Sequence, residues 1–136
     1  MIHSQLLEDC FQLGRMDSGT LLLHRNAGVP WFILVPDTEL ADVLDLPAEA
    51  LARVTADSAR VSRFIKEVIG CPKVNFAGLG NVVPQMHLHI IGRSDNDPCW
   101  PQPVWGNLVH MSSYDSAEVE DWRSALAKDY GLTPLT

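Results

Sequence analysis

The sequence predicts an α+β fold built on an antiparallel sheet, and three observations carry that expectation. Short apolar strand candidates are joined by hairpin-length links, and one long helical stripe runs from about residue 47 to 69. From Gln85 to Ile90 polar and apolar residues alternate strictly, as in a strand with one face buried. At 136 residues the chain reads as one domain, 1–136, large enough for a core without disulfide staples.

Taken in order, residues 3–15 predict an amphipathic helix whose apolar side is Leu6, Leu7, Cys10, Phe11 and Leu13, stopped at Gly14. Met16 to Gly19 is turn chemistry, and Thr20–Arg25 is a strand candidate that breaks at Asn26-Ala27-Gly28. Trp31–Val35, almost wholly apolar and ended by Pro36, predicts a second strand antiparallel to the first. Residues 39–44 predict a helical turn. The long helix follows, with Pro47 at a first helical position and Glu49 in the first turn, where negative charge suits the helix dipole. Its stripe is Leu51, Val54, Ser58, Val61, Ile65 and Val68, and Gly70 and Pro72 end it. Lys73–Ala77 predicts a third strand, returned by the turn Gly78-Leu79-Gly80-Asn81 into the alternating segment. Beyond Arg93 the chain turns proline-rich, and Trp100 and Trp105 read as packing residues. A final helix over 116–130 has Asp115 and Glu118 in capping-box spacing and Val119, Trp122 and Leu126 on its apolar side.

Composition narrows the function classes. Hydrophobic residues at 46% and charged residues at 20% are ordinary globular values, and no stretch approaches the roughly 20 apolar residues of a membrane span. The start of the chain lacks a basic segment followed by an apolar run, so a cytoplasmic location is the expectation. Cys10, Cys71 and Cys99 are odd in number and too far apart for a metal knuckle, and they read as plain thiols. A formal charge of −7 disfavours a nucleic-acid partner, whereas a small phosphorylated ligand needs only a local pocket.

The alternation puts Gln85, His87 and His89 on one face, with Met86, Leu88 and Ile90 on the other, packed under helices. Three readings of the two histidines stay open on the residues alone. They are ordinary surface or core residues; or they present two nitrogens to a metal, with His24, His110, Asp95 or a cysteine as a third ligand; or they perform phosphoryl transfer. Imidazole attacks phosphorus near neutral pH and leaves readily, and a second histidine two residues on can donate to phosphate oxygens. The glycine-bearing turn lets main-chain groups approach a ligand, with Asn75 and Asn81 as neutral donors.

Val74-Asn75, the glycine turn and Gln85-Met86-His87-Leu88-His89-Ile90-Ile91 together resemble the signature of the histidine triad (HIT) family, His-φ-His-φ-His-φ-φ with φ apolar. Asn26 before the second strand, the strand end Val35-Pro36 and the long helix before Asn75 occur in the family's order, so the likeness covers about residues 15–93, leaving a C-terminal tail and helix, 94–136. The resemblance implies a HIT-like antiparallel sheet of about five strands and a nucleotide hydrolase or nucleotidyl transferase, usually a homodimer. Dinucleoside polyphosphates or nucleoside phosphoramidates would be its substrates. It implies that His87 is the nucleophile and forms a covalent nucleotidyl intermediate, that His89 contacts the phosphate and Asn75 lines its site, that Asn26 binds the ribose, and that the Gly80 carbonyl orients His87. No cofactor or resident metal is implied, and a divalent cation would enter as the substrate's counter-ion. Two positions depart from the pattern. Gln85 stands at the first triad histidine, where its amide would act outside the bond-making step, and Val82 stands where many members have a phosphate-facing hydroxyl. The alternative reading is therefore a nucleotide-binding module with little or no turnover.

Overall fold

Strands that read as continuous apolar runs need cover on both faces, and this sheet has it. The protein, described by a computed structural model over residues 1–135, runs α1 (Ser4–Asp9), β1 (Cys10–Arg15), β2 (Gly19–His24), β3 (Trp31–Pro36), α2 (Ala48–Phe64), β4 (Lys73–Gly78), β5 (Leu88–Arg93), α3 (Ser116–Asp129) and β6 (Thr133–Pro134). The strands form one sheet in the order β4-β5-β3-β2-β1-β6, with every pair antiparallel. This is the expected α+β class, with the short β6 added at one edge.

Alternation along each strand divides the core in two. Leu21, Leu23, Phe32, Leu34, Leu88 and Ile90 pack with Val54, Val61 and Phe64 of α2 and with Val119 and Leu126 of α3. On the opposite face Leu22, Ile33, Val35 and Ile91 meet Leu6 of α1 and the loop residues Val29, Val83, Cys99 and Val104. The first face is sealed by two helices. The second is covered by one short helix and loops, and that incomplete cover leaves room for a site.

The long helix follows its sequence reading closely. Val54, Ser58, Val61 and Ile65 are buried, while Val68, at the far end of the stripe, is exposed. Past Phe64 the helix widens into a π turn, Ile65–Ile69, where the Gly70 and Cys71 amides both donate to the Ile65 carbonyl, and Gly70 closes it in the left-handed conformation (φ 93°). The last helix keeps its capping box, with Asp115 and Glu118 serving each other's backbone. No helix among the described residues is long and apolar enough to cross a membrane.

Three expectations are corrected. Residues 3–15 are not one helix: α1 ends at Asp9, and Cys10 to Arg15 form β1, paired from Cys10↔His24 to Arg15↔Thr20 with a register shift between Gln12 and Gly14. The apolar spacing imitates a helix because both faces of β1 are covered: Cys10 packs on the face shared with α1, and Phe11 and Leu13 pack on the face under α2 and α3. Gly14 is needed for a different reason than stopping a helix. A Cβ there would lie 2.2 Å from the Thr133 carbonyl oxygen, so only glycine lets β6 approach. The turn expected over 39–44 is instead a single 3₁₀ turn at Val43–Asp45. Finally, β5 begins only at Leu88, where pairing with Leu34 and Gly78 starts, so Gln85 and His87 lie ahead of the strand.

Candidate active site

His87 and His89 flank Leu88, whose side chain, with those of Met86 and Ile90, is anchored in the core beneath α2 and α3. That anchoring presents both imidazoles on the less covered face, with ring centroids 5.1 Å apart and planes at 71°. Their hydrogen bonds assign the protons. The Nδ1 of His87 is 2.7 Å from the Gln85 carbonyl oxygen, which can only accept, so Nδ1 carries the proton and Nε2 keeps its lone pair. The indole Nε1–H of Trp31 donates to Nδ1 of His89 at 3.0 Å, so in His89 the proton sits on Nε2. One ring offers an electron pair and the other an N–H.

Both open into a pocket of about 400 Å³ with mainly apolar walls, lined among others by Leu6, Trp31, Ile33, Val83 and Trp105. His24 stacks on Trp31 at 4.3 Å and 11°, and Trp105 meets His89 edge-on at 4.9 Å. Burial, then the neighbouring His87 and His24, push the His89 pKa down to about 4; burial likewise lowers that of His24. His89 is therefore a neutral donor through the physiological range. Burial, with Asp9 beside it, raises the Cys10 thiol to about 12, which makes this pocket cysteine a poor nucleophile.

The His89 shift has a consequence for stability. Above pH 6.5 neither folded nor unfolded chain binds a proton at this residue; between 6.5 and about 4 the unfolded chain takes one that the folded chain refuses. Folding free energy should thus fall as pH drops through that window and level off below it, by about 3 kcal/mol at most for this one group. Urea unfolding at pH 7.5 and 4.5 checks it. The wild type should lose about 2–3 kcal/mol more than His89→Gln between the two pH values, and parallel losses would refute the assignment.

The protein-family model described as HIT domain matches residues 7–96. The chain belongs to the HIT domain family. Three solved structures of the family resemble it over nearly their whole length. A histidine triad protein of Bradyrhizobium japonicum is 38% identical, with 96% of this chain and 97% of that one covered and a TM-score of 0.89. Another from Sinorhizobium meliloti is 28% identical, with 95% and 96% covered at 0.88, and one from Marinobacter aquaeolei is 35% identical, with 93% and 92% covered at 0.85. No curated protein matches the chain. Family membership supports a general function in processing nucleotide phosphates.

The residues expected to serve a HIT site do not all converge. Gly80 and Asn81 line the pocket with His87 and His89. Gly80 has φ +70°, a conformation that suits glycine, and no hydrogen bond among the described residues engages the amides of Leu79 to Val83. Val82, 90% exposed, adds an apolar side chain to the rim and no donor. The carbonyl that orients His87 belongs to Gln85, not Gly80, because the extended approach to β5 puts the oxygen two residues back beside the ring.

Asn26 and Asn75 are occupied in the scaffold. Asn26 donates to the His110 carbonyl and accepts from the Gly28 and Ser112 amides, which pins residues 110–112 to the β2–β3 link. Asn75 accepts from Nη1 of Arg93 at 2.9 Å. Gln85 does not share the pocket face of the two histidines: its amide turns to Met1 and His3. Among the described residues no group of three His, Cys, Asp or Glu side chains is placed to hold a metal ion, so the His-x-His pair gains no third ligand.

Several pocket residues escaped the sequence reading. Trp105, read as packing, is a pocket wall, and His24, Trp31, Leu6 and Asp9 join it. His24 and Trp31 left a trace in the sequence, since each sits two residues from a residue of the pocket face, Leu22 on β2 and Ile33 on β3.

Proposed function

We propose that the protein is a cytoplasmic HIT-type hydrolase or nucleotidyl transferase acting on phosphoanhydride or phosphoramidate bonds of nucleotides, with dinucleoside polyphosphates and nucleoside phosphoramidates as substrate classes. The pair of opposite tautomers carries the reading: a lone pair on His87 Nε2 beside an N–H on His89 Nε2. The His87 lone pair attacks the α-phosphorus, an N–P bond forms, and the bond to the leaving oxygen or nitrogen breaks with its electron pair, a nitrogen leaving group taking a proton from solvent as it departs. His89 donates to a phosphate oxygen as charge builds, together with the free amides of the glycine turn. Water then attacks the same phosphorus and gives its proton to solvent, the N–P bond breaks with its electron pair returning to His87 Nε2, and a nucleoside monophosphate leaves a neutral His87. Dipolar donors throughout suit a chain of charge −7.

Steady-state assays with an adenosine dinucleotide polyphosphate and an adenosine phosphoramidate test the proposal, with intact mass measured after an acid-free quench. Turnover with a nucleotidyl adduct is expected. Saturable binding without product would favour the second reading, a nucleotide-binding module, which the donor-less Val82 on the rim and the outward turn of Gln85 support.

A homodimer belongs to the same proposal. β4 is an edge strand, Phe76 on it is 52% exposed, and between β4 and α2 lies a hollow lined by Ala59, Val74 and Phe76. Sedimentation at micromolar concentration should give twice the 15.1 kDa chain mass, and Phe76→Asp should return it to one. A monomeric wild type would remove the dimer from the proposal.

A further inference from the structure

Gln85 does two separate things with two separate groups. Its backbone carbonyl accepts from Nδ1–H of His87 at 2.7 Å. Its side-chain amide faces away from the pocket and grips the segment ahead of α1 at two points: Oε1 accepts from the His3 amide at 2.7 Å, and Nε2 donates to the Met1 carbonyl at 2.9 Å. A side-chain amide that serves one donor and one acceptor on either side of Ile2 holds that segment as a neighbouring strand would. His3 in turn caps α1, its Nδ1 accepting from the Gln5 amide at 3.1 Å.

α1 has six residues, too few to persist alone in water. Its C-terminal end runs into β1 and is held by Arg25, whose amide donates to the Asp9 carbonyl at 2.9 Å and whose Nε donates to the Glu8 carbonyl at 3.1 Å, so the end that needs holding is the N-terminal one. Leu6 is its one buried side chain, 5% exposed and packed against the less covered face of the sheet. Yet Leu6 and Asp9 form part of the pocket wall facing His87 and His89. A marginal helix that is also a pocket wall needs a tether, and the Gln85 amide is placed to be one.

We propose that Gln85 is a positioning residue that clamps α1 in place as a wall of the pocket through Met1 and His3, while its main chain independently orients His87. The proposal rests on the reading of His87 and His89 as the reactive site. The clamp sets ground-state affinity and leaves the chemical step alone, because substitution of the side chain keeps the carbonyl that holds the nucleophile. Gln85→Ala removes both contacts. Gln85→Glu keeps the acceptor for the His3 amide and sets a carboxylate oxygen against the Met1 carbonyl. His3→Pro deletes the amide donor at a residue whose φ of −56° proline accepts, with His3→Asn as the control for the lost side-chain cap.

The test compares these full-length variants in hydrogen exchange over residues 4–9, in the rate of His87 acylation by diethyl pyrocarbonate followed by mass, and in kinetics with an adenosine phosphoramidate. Gln85→Ala should speed both exchange and acylation by about tenfold and raise KM by a similar factor, with kcat within about threefold of wild type. Gln85→Glu should fall between. Gln85→Ala combined with His3→Pro should exceed neither single variant by much, since both open one clamp. Unchanged exchange over α1 in Gln85→Ala, effects of the two substitutions that multiply, or a loss confined to kcat would each overturn the proposal. Exchange and acylation require no turnover, so they decide the clamp even if the substrate assignment fails.

Discussion

Replacing His87 with asparagine should lower turnover by at least about a thousandfold, equivalent to roughly 4 kcal/mol of barrier, and should abolish the nucleotidyl adduct. The size follows from what the residue alone supplies. Its Nδ1–H is held by the Gln85 carbonyl, so the Nε2 lone pair points from a ring that cannot rotate freely. Asparagine keeps a polar side chain but has no comparable lone pair on nitrogen, and His89 cannot take over, because Trp31 occupies its Nδ1 and its Nε2 carries the proton. Binding should survive, since the apolar walls and the turn amides remain. Isothermal titration with AMP beside intact-mass trapping separates the two effects. An adduct that persists in His87→Asn would overturn the mechanism while leaving family membership intact.

Arg93→Ala should cost about 3–5 kcal/mol of folding free energy, the usual result of stripping one partner from a buried ion pair. Arg93 is 2% exposed and ties β5 to the proline-rich loop through several hydrogen bonds. Nε donates to Asp97 at 2.7 Å, Nη2 to the other Asp97 oxygen at 3.2 Å and to the Gln102 carbonyl at 2.8 Å, and Nη1 to Asn75 at 2.9 Å. Burial pushes the Asp97 carboxyl up, but the Arg93 hydrogen bond and the Ser94 and Cys99 amides outweigh it and hold the group below the ordinary range. Without Arg93 that charge is stranded. The loop it holds also carries Trp105 to the pocket, so substrate affinity should weaken as stability falls. Arg93→Lys should recover only part of the loss, because one ammonium cannot span the planar fork of partners. Urea unfolding measures the effect, and a loss below about 1 kcal/mol would show that the loop is held by its apolar contacts instead.

Much of this protein is legible along the chain because its signals are local. The spacing of Val54, Ser58, Val61 and Ile65 defines the long helix, and the alternation of Met86, Leu88 and Ile90 against His87 and His89 orients the pair of imidazoles. Both rest on the fixed geometry of a helix turn or an extended backbone. The N-terminal segment imitates a helix because β1 is covered on both faces, so Cys10, Phe11 and Leu13 are all apolar, and no local pattern marks where an irregular strand will find its partner.

Fold class, the HIT signature and the two histidines facing one side are readable along the chain, since each depends on residues close together in it. Which nitrogen of His89 carries the proton depends on the packed fold, because its deciding partner is an indole 58 residues away. The tertiary structure also decided that Asn26 and Asn75 brace loops, that Trp105 walls the pocket, and that Gln85 reaches across 82 residues to His3. A side chain's hydrogen-bonding capacity can be read from its type, but its partner is set by which distant segments the packed sheet brings within about 3 Å.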